Sequence, residues 1–231
     1  MFRRLHAQLT RALPSQCAVC HAWPAQPVCE ACVARFAQPQ PRCQGCALPV
    51  PAGITRCGAC LRSPPPLDLC LAALPYAYPW DDLIARYKFG DRPGWSATLA
   101  LLLRSAPWVE PALETAEMLL PMPLARERLR ERGFNQALEL ARRLAPGKVR
   151  ADLLLRLRDT PAQSALPRAA RLRNVRDAFA VAPGRQPLLA GRRVVLVDDV
   201  MTSGASLHAA AQALRDAGAG HVTGLVLART E

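Results

Sequence analysis

Asp198 and Asp199 stand side by side behind four aliphatics, Val194 to Val197, and ahead of a run of small residues, Thr202, Ser203, Gly204, Ala205 and Ser206. The aliphatics read as a short buried strand of a parallel sheet. Two adjacent carboxylates at the carboxyl end of such a strand suit sugar hydroxyls or a hydrated metal ion, and they repel a phosphate. The small residues do the opposite. Little side chain shields their N–H groups, and the helix they open presents its positive end, so an anion can approach the backbone closely. The segment reads as a phosphate-and-ribose site whose two tasks are separated by charge. An ordinary strand-turn-helix with Thr202 or Ser203 as N-cap would explain neither the acid pair nor the three small residues after Ser203.

Eight of the nine cysteines form four Cys-x-x-Cys pairs, Cys17/Cys20, Cys29/Cys32, Cys43/Cys46 and Cys57/Cys60, with 8, 10 and 10 residues between pairs. Each pair brings two thiolates to one edge of a tetrahedron, and two pairs close a structural zinc site, so four imply two zinc ions. The regular spacing and the lack of an export signal argue against a disulfide scaffold. No thioredoxin-like βαβ pattern surrounds any pair to suggest redox work. Pairing of neighbours would make two ribbons in tandem, the arrangement we prefer, and pairing of alternates a cross-braced unit. Residues 14–62 hold too few large apolar side chains for a core of their own, so the metal would supply their folding free energy. Cys70 reads as a buried small hydrophobe.

The elements that must position these groups divide the 231 residues into four parts. Residues 1–13 carry Phe2, Leu5, Leu9 and Leu13 at helical spacing, a short amphipathic segment. Residues 14–62 are the double zinc ribbon, 63–67 a Pro-rich linker, and 68–231 an α/β domain. In that domain the pattern predicts strands at 68–78, 116–121, 151–156, 193–198 and 221–228. Helices are predicted at 80–89, 94–105 and about 134–144, and a last one follows the strand 193–198 and runs to 217. The net charge of +12 comes almost wholly from arginine, since only Lys88 and Lys148 are lysines. Arginine favours bidentate phosphate contacts, so the excess suits nucleic acid or a phosphate-rich small molecule. No apolar run reaches the about 18 residues of a membrane span, and no signal region is present, which predicts a cytoplasmic protein.

A second chemical stretch, Pro121 to Gln136, follows a predicted strand and carries Arg126, Arg128 and Arg132. Ligands of open α/β sheets bind at that end of the strands. A solvated helix start, with Glu127 and Glu131 paired to neighbouring arginines, is the plain alternative.

The run Val194–Ser206 resembles the 5-phosphoribosyl-1-pyrophosphate (PRPP) signature of the type I phosphoribosyltransferases across all thirteen positions. With Tyr87-Lys88-Phe89-Gly90-Asp91, the 126–136 run, Gln163, Asn174-Val175, Phe179 and the four cysteine pairs, the chain resembles the ComF/GntX family over nearly its whole length. The resemblance implies an α/β, type I phosphoribosyltransferase-like fold: a mostly parallel sheet with helices on both faces, preceded by a small double zinc-ribbon domain. It implies Asp198 and Asp199 on the ribose hydroxyls and Mg²⁺, residues 202–206 on the 5′-phosphate, and Arg126, Arg128 and Arg132 toward the pyrophosphate. The stretch from Arg158 to Arg176 matches the mobile loop that closes over PRPP, with Arg158, Gln163, Arg168 and Asn174 as its candidates.

The function implied is that of a PRPP-binding protein of the ComF type, acting on single-stranded DNA during natural transformation, with DNA-uptake machinery as partners. Two other readings stay open. One is an active phosphoribosyltransferase, displacing pyrophosphate from C1′ onto an unidentified acceptor with arginine and Mg²⁺ stabilising the leaving group. No general base stands out, and the sequence ends at Glu231, just after the last strand, so short N-terminal or loop elements would have to recognise the acceptor. The other is a scaffold whose ribbons bind a partner protein.

Overall fold

Apolar runs bounded by glycine and proline organise the chain into strands and helices, and a computed structural model describes residues 15–90, 94–157 and 178–231. The amphipathic N-terminal segment and the loop candidates Arg158, Gln163, Arg168 and Asn174 lie outside the described residues. The elements run α1 (Glu30–Phe36), α2 (Gly58–Arg62), β1 (Leu69–Pro75), α3 (Trp80–Phe89), α4 (Trp95–Arg104), α5 (Val109–Thr115) and β2 (Met118–Pro121). They continue with α6 (Arg126–Arg132), α7 (Gln136–Leu144), β3 (Leu154–Arg156), β4 (Phe179–Val181), β5 (Arg193–Met201), α8 (Ala205–Asp216) and β6 (His221–Arg229).

Four strands form one parallel sheet in the order β1-β6-β5-β2, and β3 and β4 pair antiparallel as a small second sheet. Buried on both faces, β5 and β6 read as nearly unbroken apolar runs, as strands covered by helices on each side must. Their side chains alternate between faces. Val194, Leu196, Val222 and Val226 join a core with Leu207, Ala210, Ala211 and Leu214 of α8. The opposite face is covered by α4 and α7, which pack on each other and on the sheet. Gly224 lets α8 come close, since a Cβ there would stand 2.7 Å from Leu207 Cδ2.

The register sets up the site. Pro121 of β2 lies beside Val197 of β5, and Asp198 beside Val226 of β6. The connection after β2 therefore opens next to the acid pair, at the carboxyl edge of the sheet.

The chain divides into two compact units, 1–38 and 39–231. This boundary falls between the two cysteine sets, where the sequence groups both into one region. In the second unit, Cys43, Cys46, Ala47 and Cys60 are buried in the same core as Met201, Leu207 and Val226.

Candidate functional site

At the carboxyl end of β5 the chain delivers Asp198 and Asp199, then turns through Thr202–Gly204 into α8. Gly204 adopts φ +79°, and a Cβ there would collide with Met201 and the His208 ring, so this tight turn requires glycine. Ser203 Oγ accepts from Ala205 N at 3.4 Å, and the first turn of α8 follows directly. The leading N–H groups of a helix lack intrahelical acceptors and favour an anion.

One guanidinium holds this turn from behind. Arg229 is buried at the end of β6, and its Nη1 donates to the carbonyls of Met201 at 3.1 Å, of Thr202 and of Thr230. Its Nε donates to the Cys46 carbonyl at 2.9 Å. The turn's carbonyls thus face inward, and its second anchor is the backbone of a cysteine knuckle.

The acid pair lines a cleft of about 270 Å³ together with Thr202 and Ser206, whereas Ser203, Gly204 and Ala205 between them do not line it. Asp198, Asp199, Thr202 and Ser206 reach it from the β5 side, and Arg128, Arg132, Asn135 and Gln136 from α6 and the start of α7. Arg128 and Arg132 meet the acid pair there, whereas Arg126 is exposed and does not line the cleft. Arg132 is shaped for the site: Nη1 donates to Gln136 Oε1 at 3.1 Å, and its plane lies 4.8 Å over Phe89. Its Nε and Gln136 Nε2 are buried donors with no hydrogen-bond partner among the described residues. Buried donors left open at a cleft call for an acceptor-rich ligand. Asn135 caps α7 by accepting from Leu138 N at 3.2 Å and donates to the Met122 carbonyl at 3.0 Å, which fixes the loop after β2.

Sequence reasoning did not assign Tyr76, Lys88, Asn135, Gln136 or Arg156 to the site, and all five line the cleft. Lys88 sits in the last turn of α3 with Nζ 3.0 Å from Asp199 Oδ1. Its signal was available in the Tyr-Lys-Phe-Gly stretch. Only the fold brings that stretch to the acid pair.

Burial, and then the charge of Asp199, push the Asp198 carboxyl up from its ordinary 3.8 to about 7. The Asp199 N–H, donated at 2.9 Å, and Lys88 act against the rise. The folded state therefore holds this proton where the unfolded chain has lost it, so the group's contribution to stability falls as pH rises from about 4 through about 7. Asp198→Asn should flatten that decline, making the variant the more stable protein at pH 8. Urea denaturation of both proteins at pH 5.5 and pH 8 checks it, and parallel pH profiles would contradict it.

As arranged, the pair does not form a ready site for a bare divalent cation. Asp199 Oδ1 accepts from Lys88 at 3.0 Å and from Val200 N at 2.6 Å. Among the described residues, groups of three or more metal-ligating side chains occur only in the two cysteine clusters. Those clusters do fit a metal. Cys17, Cys20, Cys29 and Cys32 form one and Cys43, Cys46, Cys57 and Cys60 the other, with the sulfurs of each within 4.8 Å of one another. Neighbours in sequence are paired, as in tandem ribbons, and all eight are free thiols. Backbone N–H groups point at sulfur, Cys29 N to Cys17 Sγ at 3.4 Å and Cys57 N to Cys43 Sγ at 3.2 Å. Burial raises the Cys17 thiol, but N–H groups from Cys20 and Cys29 outweigh it and bring it down to about 6. Thiolate is the form that binds zinc. Among the described residues no helix is long and apolar enough to cross a membrane.

Comparison with known proteins follows the same lines. The phosphoribosyl transferase domain family matches residues 130–230. The DNA utilization protein YhgH of Escherichia coli K12 is 34% identical over 193 residues, 80% of this chain and 82% of the relative. Competence protein F of Haemophilus influenzae is 34% identical over 181 residues, 75% of this chain and 78% of the relative. Competence protein ComFC of Bacillus subtilis is 35% identical over 114 residues, 49% of this chain and 45% of the relative.

Proposed function

The chain belongs to the ComF/GntX family, that of competence protein F and the DNA utilization protein YhgH, and from that premise we propose that its cleft binds PRPP and that the protein handles single-stranded DNA in the cytoplasm during DNA uptake. One observation carries the first half: the acid pair, Thr202 and Ser206 at the two ends of the turn, and Arg128 and Arg132 line a single cleft at the carboxyl edge of the sheet. Asp198 and Asp199 accept hydrogen bonds from the ribose hydroxyls. The turn from Thr202 to Ser206 takes the 5′-phosphate on backbone N–H groups. Arg128 and Arg132, with Gln136 Nε2, face the pyrophosphate. Mg²⁺ accompanies PRPP as the counter-ion of its phosphates, and zinc occupies both cysteine clusters.

The second half is supported by the relatives' names and by a net charge of +12. DNA-uptake proteins are the partners this reading calls for.

Calorimetric titration with PRPP and Mg²⁺ tests the cleft. Asp198→Ala/Asp199→Ala should weaken binding by about 100-fold or more, because each hydrogen bond to a charged group is worth roughly 1.5–3 kcal/mol. Equal affinity in parent and variant would remove the assignment. Single-strand affinity measured against salt should fall linearly on a log-log plot, with a slope that counts the phosphates neutralised. Pyrophosphate release with nucleobases, ammonia or glutamine as acceptors would instead identify a transferase.

A further inference from the structure

We infer that Lys88 is the resident counter-ion of the acid pair: it holds Asp199 in position and keeps a free divalent cation out of the cleft before any ligand arrives. The pairing is built in rather than casual. Lys88 is one of only two lysines among 30 basic residues, its Nζ is 3.0 Å from Asp199 Oδ1, and the two side chains are 15% and 11% exposed. Both sequence neighbours are anchored to the opposite wall. Tyr87 is fully buried, donates from its hydroxyl to the Gln136 carbonyl at 2.9 Å, and packs against Phe134 with the rings tilted at 54° and centroids 5.5 Å apart. Phe89 lies under the Arg132 guanidinium. The end of α3 is therefore pinned on either side of the lysine, so the flexible stem starts from a fixed point.

The charges facing this point favour the assignment. Lys88, Arg128, Arg132 and Arg156 line the cleft against Asp198 and Asp199. A dication entering the empty cleft would meet this excess of positive charge at short range and would have to displace an ammonium already in contact with its best ligand. Sugar hydroxyls meet no such obstacle. They are neutral donors and can bond to the carboxylate oxygens that Lys88 leaves available. The same residue thus steers the pair toward hydroxyls and away from ions. That steering role rests on the proposed sugar-phosphate reading, whereas the exclusion of metal can be measured without any sugar phosphate.

The test is a Mn²⁺ titration of the zinc-loaded protein, without ligand, followed by the electron paramagnetic resonance signal of free Mn²⁺. Lys88→Met should bind one Mn²⁺ at least about tenfold more tightly than the parent, and Asp199→Asn in the same chain should abolish the gain. Lys88→Arg, which keeps the charge, should remain close to the parent. A Lys88→Met protein that folds and binds Mn²⁺ no better than the parent would overturn the inference. A second measurement does not depend on that variant folding. With lysine labelled at Cε, two signals report Lys88 and Lys148. Asp199→Asn should move the Lys88 signal and leave that of Lys148, whose Nζ donates to the Leu113 and Glu114 carbonyls. An unmoved Lys88 signal would also overturn it. PRPP titration of the same samples separates the two claims: loss of PRPP binding with the Mn²⁺ result intact would strike the proposed function and spare Lys88.

Discussion

Removing metal from Cys17, Cys20, Cys29 and Cys32 should unfold residues 15–38. In this stretch the buried apolar side chains are Cys17, Val28 and Cys32, and two of those three are the proposed ligands. One valine cannot offset the conformational entropy of more than twenty ordered residues, at roughly 1–2 kcal/mol each for backbone alone. Structural zinc, with apparent binding free energies of about 10–16 kcal/mol at neutral pH, can. Hydrogen exchange before and after treatment with a strong chelator should show protection of 15–38 collapsing to that of an open chain, and returning when zinc is restored. Protection that survives chelation would show that packing, not metal, holds this unit.

The second large effect is expected from Arg229→Met, which should cost the 39–231 unit about 3–5 kcal/mol, the sum expected when several buried carbonyls lose one shared donor. Arg229 is 4% exposed, and its guanidinium bonds backbone carbonyls of Cys46, of Met201 at the end of β5 and of Thr230. Methionine fills much of the volume and satisfies none of them, and each buried acceptor left open costs roughly 1–3 kcal/mol. Arg229→Lys should recover little, because a single ammonium cannot span carbonyls on three segments. Urea midpoints read this directly. A shift of the Arg229→Met transition worth less than about 1 kcal/mol at unchanged slope would mean that the network contributes little. The same variant should lose phosphate affinity, since the turn's carbonyls would no longer be held inward.

Much of this molecule is legible in its sequence where structure is locally encoded. Val194–Val197 with the small residues behind it announces strand, turn and helix, and β5, Gly204 and α8 follow that reading closely. Cysteine spacing likewise announces two four-thiol clusters but leaves tandem and cross-braced pairing open, and the fold brings neighbouring pairs together. Less legible are elements whose reason is tertiary. The short helix α6 has no buried residue, so it shows no apolar stripe against the charged run that forms it. The helix α5 begins at Trp108 in a left-handed conformation and carries Pro111 in its first turn, a start that no capping rule flags. With three residues, β4 is too short for a period, and β3 occupies only the last part of the predicted strand. Lys88, though part of the family-like Tyr-Lys-Phe-Gly stretch, and Arg156 are not placed at the site by sequence for a different cause: the acid pair lies far along the chain, and only the fold brings them to it.

The division after Gln38 gives the two cysteine sets unequal standing. None of the first set joins the core that the sheet shares with the second. The second is a keystone. Excising residues 43–60 would open the hydrophobic interior beneath Met201 and withdraw the carbonyl on which Arg229 rests. Oxidation of its thiols should therefore loosen the turn after Met201 and, with it, the proposed phosphate site.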